Sequence, residues 1–457
     1  MNYRATAYLV GLFLVGGIIT TNCKPQKTQS EESPPPEASE TDAEAPVLLT
    51  ENTDGAKPSV TLSSDLPFDV TITGTKLETS IRRDFDRFSW ESFVALNWDP
   101  NSADPIGTNG DNATVWETWK NAMDVFLPDG KKPSPWGTPG MIPKSCKTTD
   151  KKVLAQVGKT PDLLNEMEQP FKTGPLIDQN GEYTRFEILM NQEMFDYIDK
   201  NGLYSFEGQQ KFNAPAVFPE GSDSAKEWGA IMVKASWKIL GDNDDPSRFH
   251  TVEAIVYTPA QDDPKIAESC FTAKVGLVGL HIGTKTKICP QWIWSTFEQV
   301  DNAPSFDNIH REGTFNYYNA SSKYPWNEAP ARPWDPNIEN QTPTQVVRLT
   351  SIFDGTEALN KEYQAKLREV NPNSVWQYYE LVGTQWPVNP RQLPLGNPFP
   401  EFLANSTLET YVQGIVKDDK VELVPNVSSS CMHCHNGATM ISNGRASDFT
   451  FLLERAQ

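Results

Sequence analysis

Close to the end of the chain stands Cys431-Met432-His433-Cys434-His435. Two cysteines three positions apart, followed at once by histidine, make the C-x-x-C-H spacing of covalent haem attachment. One helical turn presents both sulfurs to the edge of a flat macrocycle, where they form thioethers with its vinyl groups, and the adjacent imidazole then lies beneath the iron. The spacing therefore implies one covalent haem c on Cys431 and Cys434, with His435 as proximal metal ligand. Random placement of 6 Cys and 5 His in 457 residues yields this pattern in on the order of one chain in a thousand. A zinc site would use Cys431, Cys434 and a histidine, but Cys146, Cys270 and Cys289 supply no second paired knuckle. A redox dithiol would follow a strand in a βαβ unit, whereas this motif follows a loop rich in Pro, Asn and Ser.

Only residues 436–457 follow the motif, so the wall over the other haem face is expected from upstream sequence. A His or Met there makes an electron carrier, and an open position binds a small ligand or peroxide. His281 is the first candidate, because strand alternation puts Gly279 and Gly283 on its face and two missing side chains leave room for a flat ring. Glycine in a strand equally marks a bulge or a close backbone approach. Met190, Met194 and Met232 are the alternatives, each also readable as core filling. Met440 is too near His435 along the chain to cross to the opposite face, and His433 should point away from iron. His250 and His310 read as surface or hydrogen-bonded histidines.

These groups need elements to hold them, and Phe85, Phe88, Phe93 and Leu96 predict an amphipathic helix from 81 that ends before Asp99-Pro100. Trp116, Trp119, Met123 and Phe126 predict a second. Asp178-Gln179-Asn180-Gly181 reads as a hairpin turn into a strand at 183–190. Residues 230–240, 249–257, 274–285 and 291–299, rich in Val, Ile, Trp and Thr, predict further strands. Helices are expected again at 357–370, 374–381 and 407–412, around the motif, and at 448–455. The fold class is α+β: a central, mainly antiparallel sheet, helices from the N- and C-terminal parts of the chain, and a haem-binding helix near the C-terminus. Cys270 and Cys289 could join two neighbouring strands as a disulfide, leaving Cys146 over. Trp116, Trp119, Trp292 and Trp294 read as core rather than as sugar-stacking platforms, and Asp242 to Asp245 as a solvated turn rather than a calcium loop.

The first residues place the protein. A short apolar run at 8–19 behind Arg4 fits a secretory signal and is too short for a lasting membrane span. It closes on Thr20-Thr21-Asn22-Cys23, a relaxed lipobox with Thr20 and Asn22 where Leu and Gly or Ala are usual. Cys23 is thus the expected lipidation site, 1–23 a lipoprotein-type signal segment, 24–60 a disordered acidic tether, and 61–457 a single large domain carrying the motif at 431–435. A net charge of -20 argues against nucleic acid and for a basic protein partner. The expected location is outside the cytoplasm, as a periplasmic or outer-membrane lipoprotein.

The stretch from Arg83 through SWESFVALNW to Trp98, PQWIWSTFEQVDN at 290–302, residues 429–438 and DFTFLL at 448–453 together resemble a family of uncharacterised exported bacterial monohaem cytochrome-c-like proteins. The resemblance covers most of the chain after about residue 80 and implies one haem at the C-terminal motif, without naming a reaction. The expected function is a membrane-tethered cytochrome that transfers electrons to or from a redox protein. One rival is a haem enzyme of peroxidase or oxidase type with an open iron position, for which Glu298, Asp301 and Arg445 are candidates by their place near those segments. A second is a surface-binding lipoprotein whose haem serves structure or sensing.

Overall fold

The computed structural model describes residues 60–457 except 103–105, 108–112, 147–150, 156–173, 263–264, 312, 333, 419 and 424–428. Cys23, the signal segment and the tether up to residue 59 lie outside the described residues. In chain order the main elements are α1 (Arg82–Leu96), β1 (Lys120–Asn121), β2 (Lys152–Leu154), β3 (Arg185–Met190), α2 (Gln192–Lys200), α3 (Phe206–Lys211), β4 (Ile231–Ile239), β5 (Thr251–Thr258), β6 (Ser269–Thr284), β7 (Ile293–Gln299), α4 (Asp354–Val370), β8 (Tyr379–Pro387), β9 (Pro398–Phe399), β10 (Ile415–Lys417), β11 (Lys420–Glu422) and α5 (Cys431–His435).

Among the described residues nine strands form one sheet in the order β1-β3-β4-β6-β7-β8-β9, with β5 on the first half of β6 and β2 beside β5. The described strand pairings of this sheet are antiparallel, and β2 with β5 is parallel. The expected α+β class with a central antiparallel sheet is therefore the observed one. β6 is long enough to serve two neighbourhoods: Ser269 to Gly276 pair with β5, and Val275 to Thr284 pair with β4.

β7 is buried on both faces along its whole length. One face turns to α1, where Ser295 Oγ lies 2.6 Å from Ser89 Oγ and the Phe297 ring stacks on Phe93 at 4.2 Å. α1 follows from its spacing: Phe85, Phe88, Phe93 and Leu96 recur on one side and are buried, and the Asn97 side chain closes the helix by donating to Phe93 O at 2.8 Å. α4 buries Leu359, Tyr363 and Leu367 at every fourth position, and the Tyr363 ring stacks on Trp90 at 4.8 Å. Truncating any one of these aromatics would cost about 3–5 kcal/mol.

Some expected elements take another form. Residues 116–126 form short 3-10 turns around β1, because Lys120 and Asn121 pair with Met190 and Leu189 and a continuous helix cannot supply that edge. The stretch expected as a helix at 374–381 makes one 3-10 turn and becomes β8 at Tyr379. Residues 410–412 and 451–455 are 3-10 turns. Residues 242–245 form the expected solvent-exposed turn, with Asp244 accepting from buried Lys238 at 2.6 Å.

The disulfide joins Cys146 to Cys270, which corrects the Cys270–Cys289 pairing. Cys270 sits at the start of β6 and Cys289 lies beyond its end. A strand rises roughly 3.3 Å per residue, so the length of β6 keeps these two far apart. Cys289 is instead buried near Asp69, and burial pushes its thiol well above the ordinary range.

Candidate functional site

The motif forms a single helical turn, α5, entered from Ser430 in extended conformation. Ser430 makes no side-chain cap. That role passes to Gln385 on β8, whose Oε1 accepts from Met432 N at 2.8 Å. Its Nε2 donates to Pro400 O at 2.7 Å and Glu401 O at 3.1 Å. Gln385 is fully buried, so a primary amide, with an acceptor and two donors, is the group that satisfies this junction. The first turn closes with Cys434 N donating to Ser430 O at 3.0 Å. Cys431, Cys434 and His435 are half-buried, and the i, i+3 spacing puts both sulfurs on one side of the turn.

His435 is held on its Nδ1 side. Nδ1 lies 2.8 Å from Phe449 O, and since a carbonyl only accepts, this contact makes Nδ1 the protonated nitrogen and gives Nε2 the lone pair. Trp294 from β7 packs against the imidazole with ring centroids 4.5 Å apart, and Phe451 flanks it at 5.2 Å. Below the turn, Met432 is fully buried in a cluster with Met190, Met194, Trp292, Trp294, Met440, Leu452 and Leu453.

The carbonyl that meets His435 belongs to a strained turn. Asp448 and Phe449 both lie in the left-handed region, at φ 57° and 62°, a conformation that costs about 1–2 kcal/mol per residue. Asp448 Oδ2 accepts from Phe218 N at 2.7 Å and pairs with the buried Lys285 at 2.5 Å. Asp448 O accepts from Trp292 Nε1 at 3.0 Å. Burial pushes the Asp448 carboxyl upward while Lys285 pulls it down, with a net rise. Trp292 is itself left-handed, at φ 69°.

His281 shares the sheet face of the motif: it pairs with Thr296, and Gly283 pairs with Trp294. Its Nε2 lies 3.1 Å from each Glu409 carboxylate oxygen. The room expected beside it is filled. A Cβ on Gly279 would come within 2.3 Å of Thr407 Oγ1, and one on Gly283 within 3.1 Å of Met232. Both glycines serve close approach, the second of the two sequence readings. Met190 and Met194 are buried and Met232 is partly buried against the same cluster as Met432. His250 is buried, with Nε2 2.9 Å from Glu117 Oε2, and His310 is exposed. Glu298 pairs with Arg348 at 2.9 Å and accepts from Ser406 Oγ at 2.6 Å. Asp301 pairs with Arg248 at 2.6 Å, and Arg445 donates to Phe212 O at 2.9 Å.

Among the described residues no three His, Cys, Asp or Glu side chains converge as a metal cage, and no helix is long and apolar enough to cross a membrane. Compared with known protein families, curated proteins and solved structures, the chain matches none. Gln385 escaped sequence reasoning because a lone Gln in a strand carries no signal. Trp292 was read as core and Asp448 as the start of a helix, each also lying in a segment that carries the resemblance.

Proposed function

We propose that this chain is an exported, lipid-tethered monohaem cytochrome that passes electrons to and from a redox protein. The observation that carries the reading is the engaged Nδ1 of His435 within a C-x-x-C-H helical turn, because it gives the imidazole the tautomer a proximal iron ligand needs. Half-buried thiols on one side of the turn, with Trp294 and Phe451 around the imidazole, suit an apolar macrocycle better than a hydrated zinc ion.

When bound, the haem supplies a one-electron ferric/ferrous couple. The protein's residues do the remainder. Cys431 and Cys434 would each add S–H across a vinyl double bond, sulfur to one carbon and hydrogen to the other, which requires no external oxidant. His435 would present Nε2 to iron while Phe449 O holds its other nitrogen. The Cys146–Cys270 disulfide agrees with an oxidising compartment outside the cytoplasm. His281 would have to give up its contact with Glu409 to hold the iron, and Met190 and Met194 would have to leave the buried cluster they share with Met432. Glu298, Asp301 and Arg445 are tied into ion pairs or backbone contacts, which favours electron transfer over peroxidase chemistry.

The test is production of the full chain with a haem-attachment system. Denatured protein should keep a haem stain and gain the mass of one haem, and Cys431→Ala or Cys434→Ala should lose it. Visible bands unaffected by carbon monoxide would support the carrier. Bound zinc without haem would overturn the reading.

A further inference from the structure

A buried ion pair contributes little net stability once both charges are desolvated, so the placing of Lys285 beside Asp448 points to a role in orientation. Successive left-handed residues without glycine persist only where their surroundings over-determine them. Here the surroundings come from one end of the β6–β7 hairpin. Lys285 follows the last residue of β6 and holds the Asp448 carboxylate. Trp292 precedes β7 and holds the Asp448 carbonyl. Trp294, two residues on, packs against the imidazole. One hairpin end thus fixes both the ring and the carbonyl that the ring's Nδ1 meets.

We propose that Asp448, anchored by Lys285 and Trp292, is a positioning residue that aims the Phe449 carbonyl at His435 Nδ1, and so sets the tautomer of His435 and the reduction potential of the haem it would ligate. A firm acceptor on Nδ1 makes the imidazole a stronger donor through Nε2, which favours the ferric state and lowers the potential. Loosening the turn weakens that bond and raises it. The potential part rests on the haem reading above; the tautomer part does not.

The experiment uses Asp448→Asn, which keeps a side chain that tolerates the left-handed region and removes the charge. Lys285→Met with Asp448→Asn also removes the cation stranded by the single change. Each full chain is made with haem for redox titration, and without haem, thiols reduced, for the ¹⁵N shifts of His435. The expected results are a lower fraction of Nδ1-protonated tautomer and a potential raised by about 59 mV for each tenfold loss of ferric preference. If both variants fold with the wild-type tautomer and potential, the proposal is overturned and the pair is structural. Should the aspartate variants not fold, Trp292→Phe, which deletes the donor to the Asp448 carbonyl, decides between the same two outcomes on the same readouts. Wild type without haem would sink the functional reading alone, with the tautomer measurement still deciding this one.

Discussion

Replacing Gln385 with leucine keeps nearly the same volume and removes the side-chain amide from the junction under the motif. The Met432 N–H, Ser430 Oγ, Pro400 O and Glu401 O would then lose the partner that Gln385 supplies. Met432 and Ser430 are buried, so water does not reach them without opening the fold, whereas Glu401 is exposed and Pro400 half-buried, and their carbonyls can be hydrated. Each buried polar group left unsatisfied costs about 1–3 kcal/mol. The two buried groups, Met432 N and Ser430 Oγ, sum to roughly 2–6 kcal/mol, and local relaxation brings the expected cost to about 2–4 kcal/mol. Against a whole stability of about 5–15 kcal/mol, this is large enough to measure by urea unfolding followed by tryptophan fluorescence. Gln385→Glu keeps an acceptor for Met432 N but loses both donors, so it should also destabilise while leaving the Met432 amide protected. Hydrogen exchange separates the two variants, since leucine should release that amide and glutamate should not. A Gln385→Leu protein within about 1 kcal/mol of wild type, its Met432 amide still protected, would refute the assignment of the cap.

Asp86 on α1 is buried, accepts from Thr356 Oγ1 and Thr384 Oγ1 at 2.6 and 2.8 Å, and burial pushes its carboxyl up to about 6 against those bonds. The folded state therefore binds the proton more tightly than the unfolded chain. Between pH 4 and 6, roughly the unfolded and folded values, this group makes stability fall as pH rises, and Asp86→Asn should remove that slope from the unfolding free energy. Deleting the Cys146–Cys270 disulfide by double alanine substitution opens a loop with a separation of 124 residues and should cost up to about 5 kcal/mol; an unchanged urea midpoint would show that the bridge does not constrain the unfolded chain. His281→Ala should keep the visible spectrum of the haem form, because Nε2 is already bonded to Glu409, and conversion to a high-spin spectrum would return His281 to the iron. Labelled fatty acid should enter the wild type and not Cys23→Ala, and equal labelling would remove the lipoprotein proposal.

The sheet was legible where β-branched and aromatic residues cluster between turns: β3 to β7 fall within or beside the expected segments. Helices with a regular apolar stripe, α1 and α4, were legible too. What misled was tryptophan spacing without a hydrogen-bonding context. Trp116, Trp119 and Met123 recur as in a helix, yet Lys120 and Asn121 are claimed by β3. α2 went unread although Asn191 caps it by accepting from Met194 N at 3.2 Å, a signal present in the sequence. Strand alternation correctly gave His281 its face, but its partner Glu409 is 128 residues away, beyond any local pattern. The turn at Asp448 and Phe449 left no trace, since neither residue is the glycine or asparagine that advertises a left-handed bend.

β7 divides its residues between two duties by parity. Ser295 and Phe297 face the packing around α1, while Trp294, Thr296 and Glu298 face His435, Asn405 and Ser406. A saturation library across this strand, sorted once for fold survival and once for visible absorbance, should therefore split with a period of two. Odd positions would be depleted by the first sort alone, and Trp294 would stand out in the second. Drift in such a strand is constrained from both sides at every site, so relatives of this chain should diverge last here and first on the exposed β10–β11 hairpin.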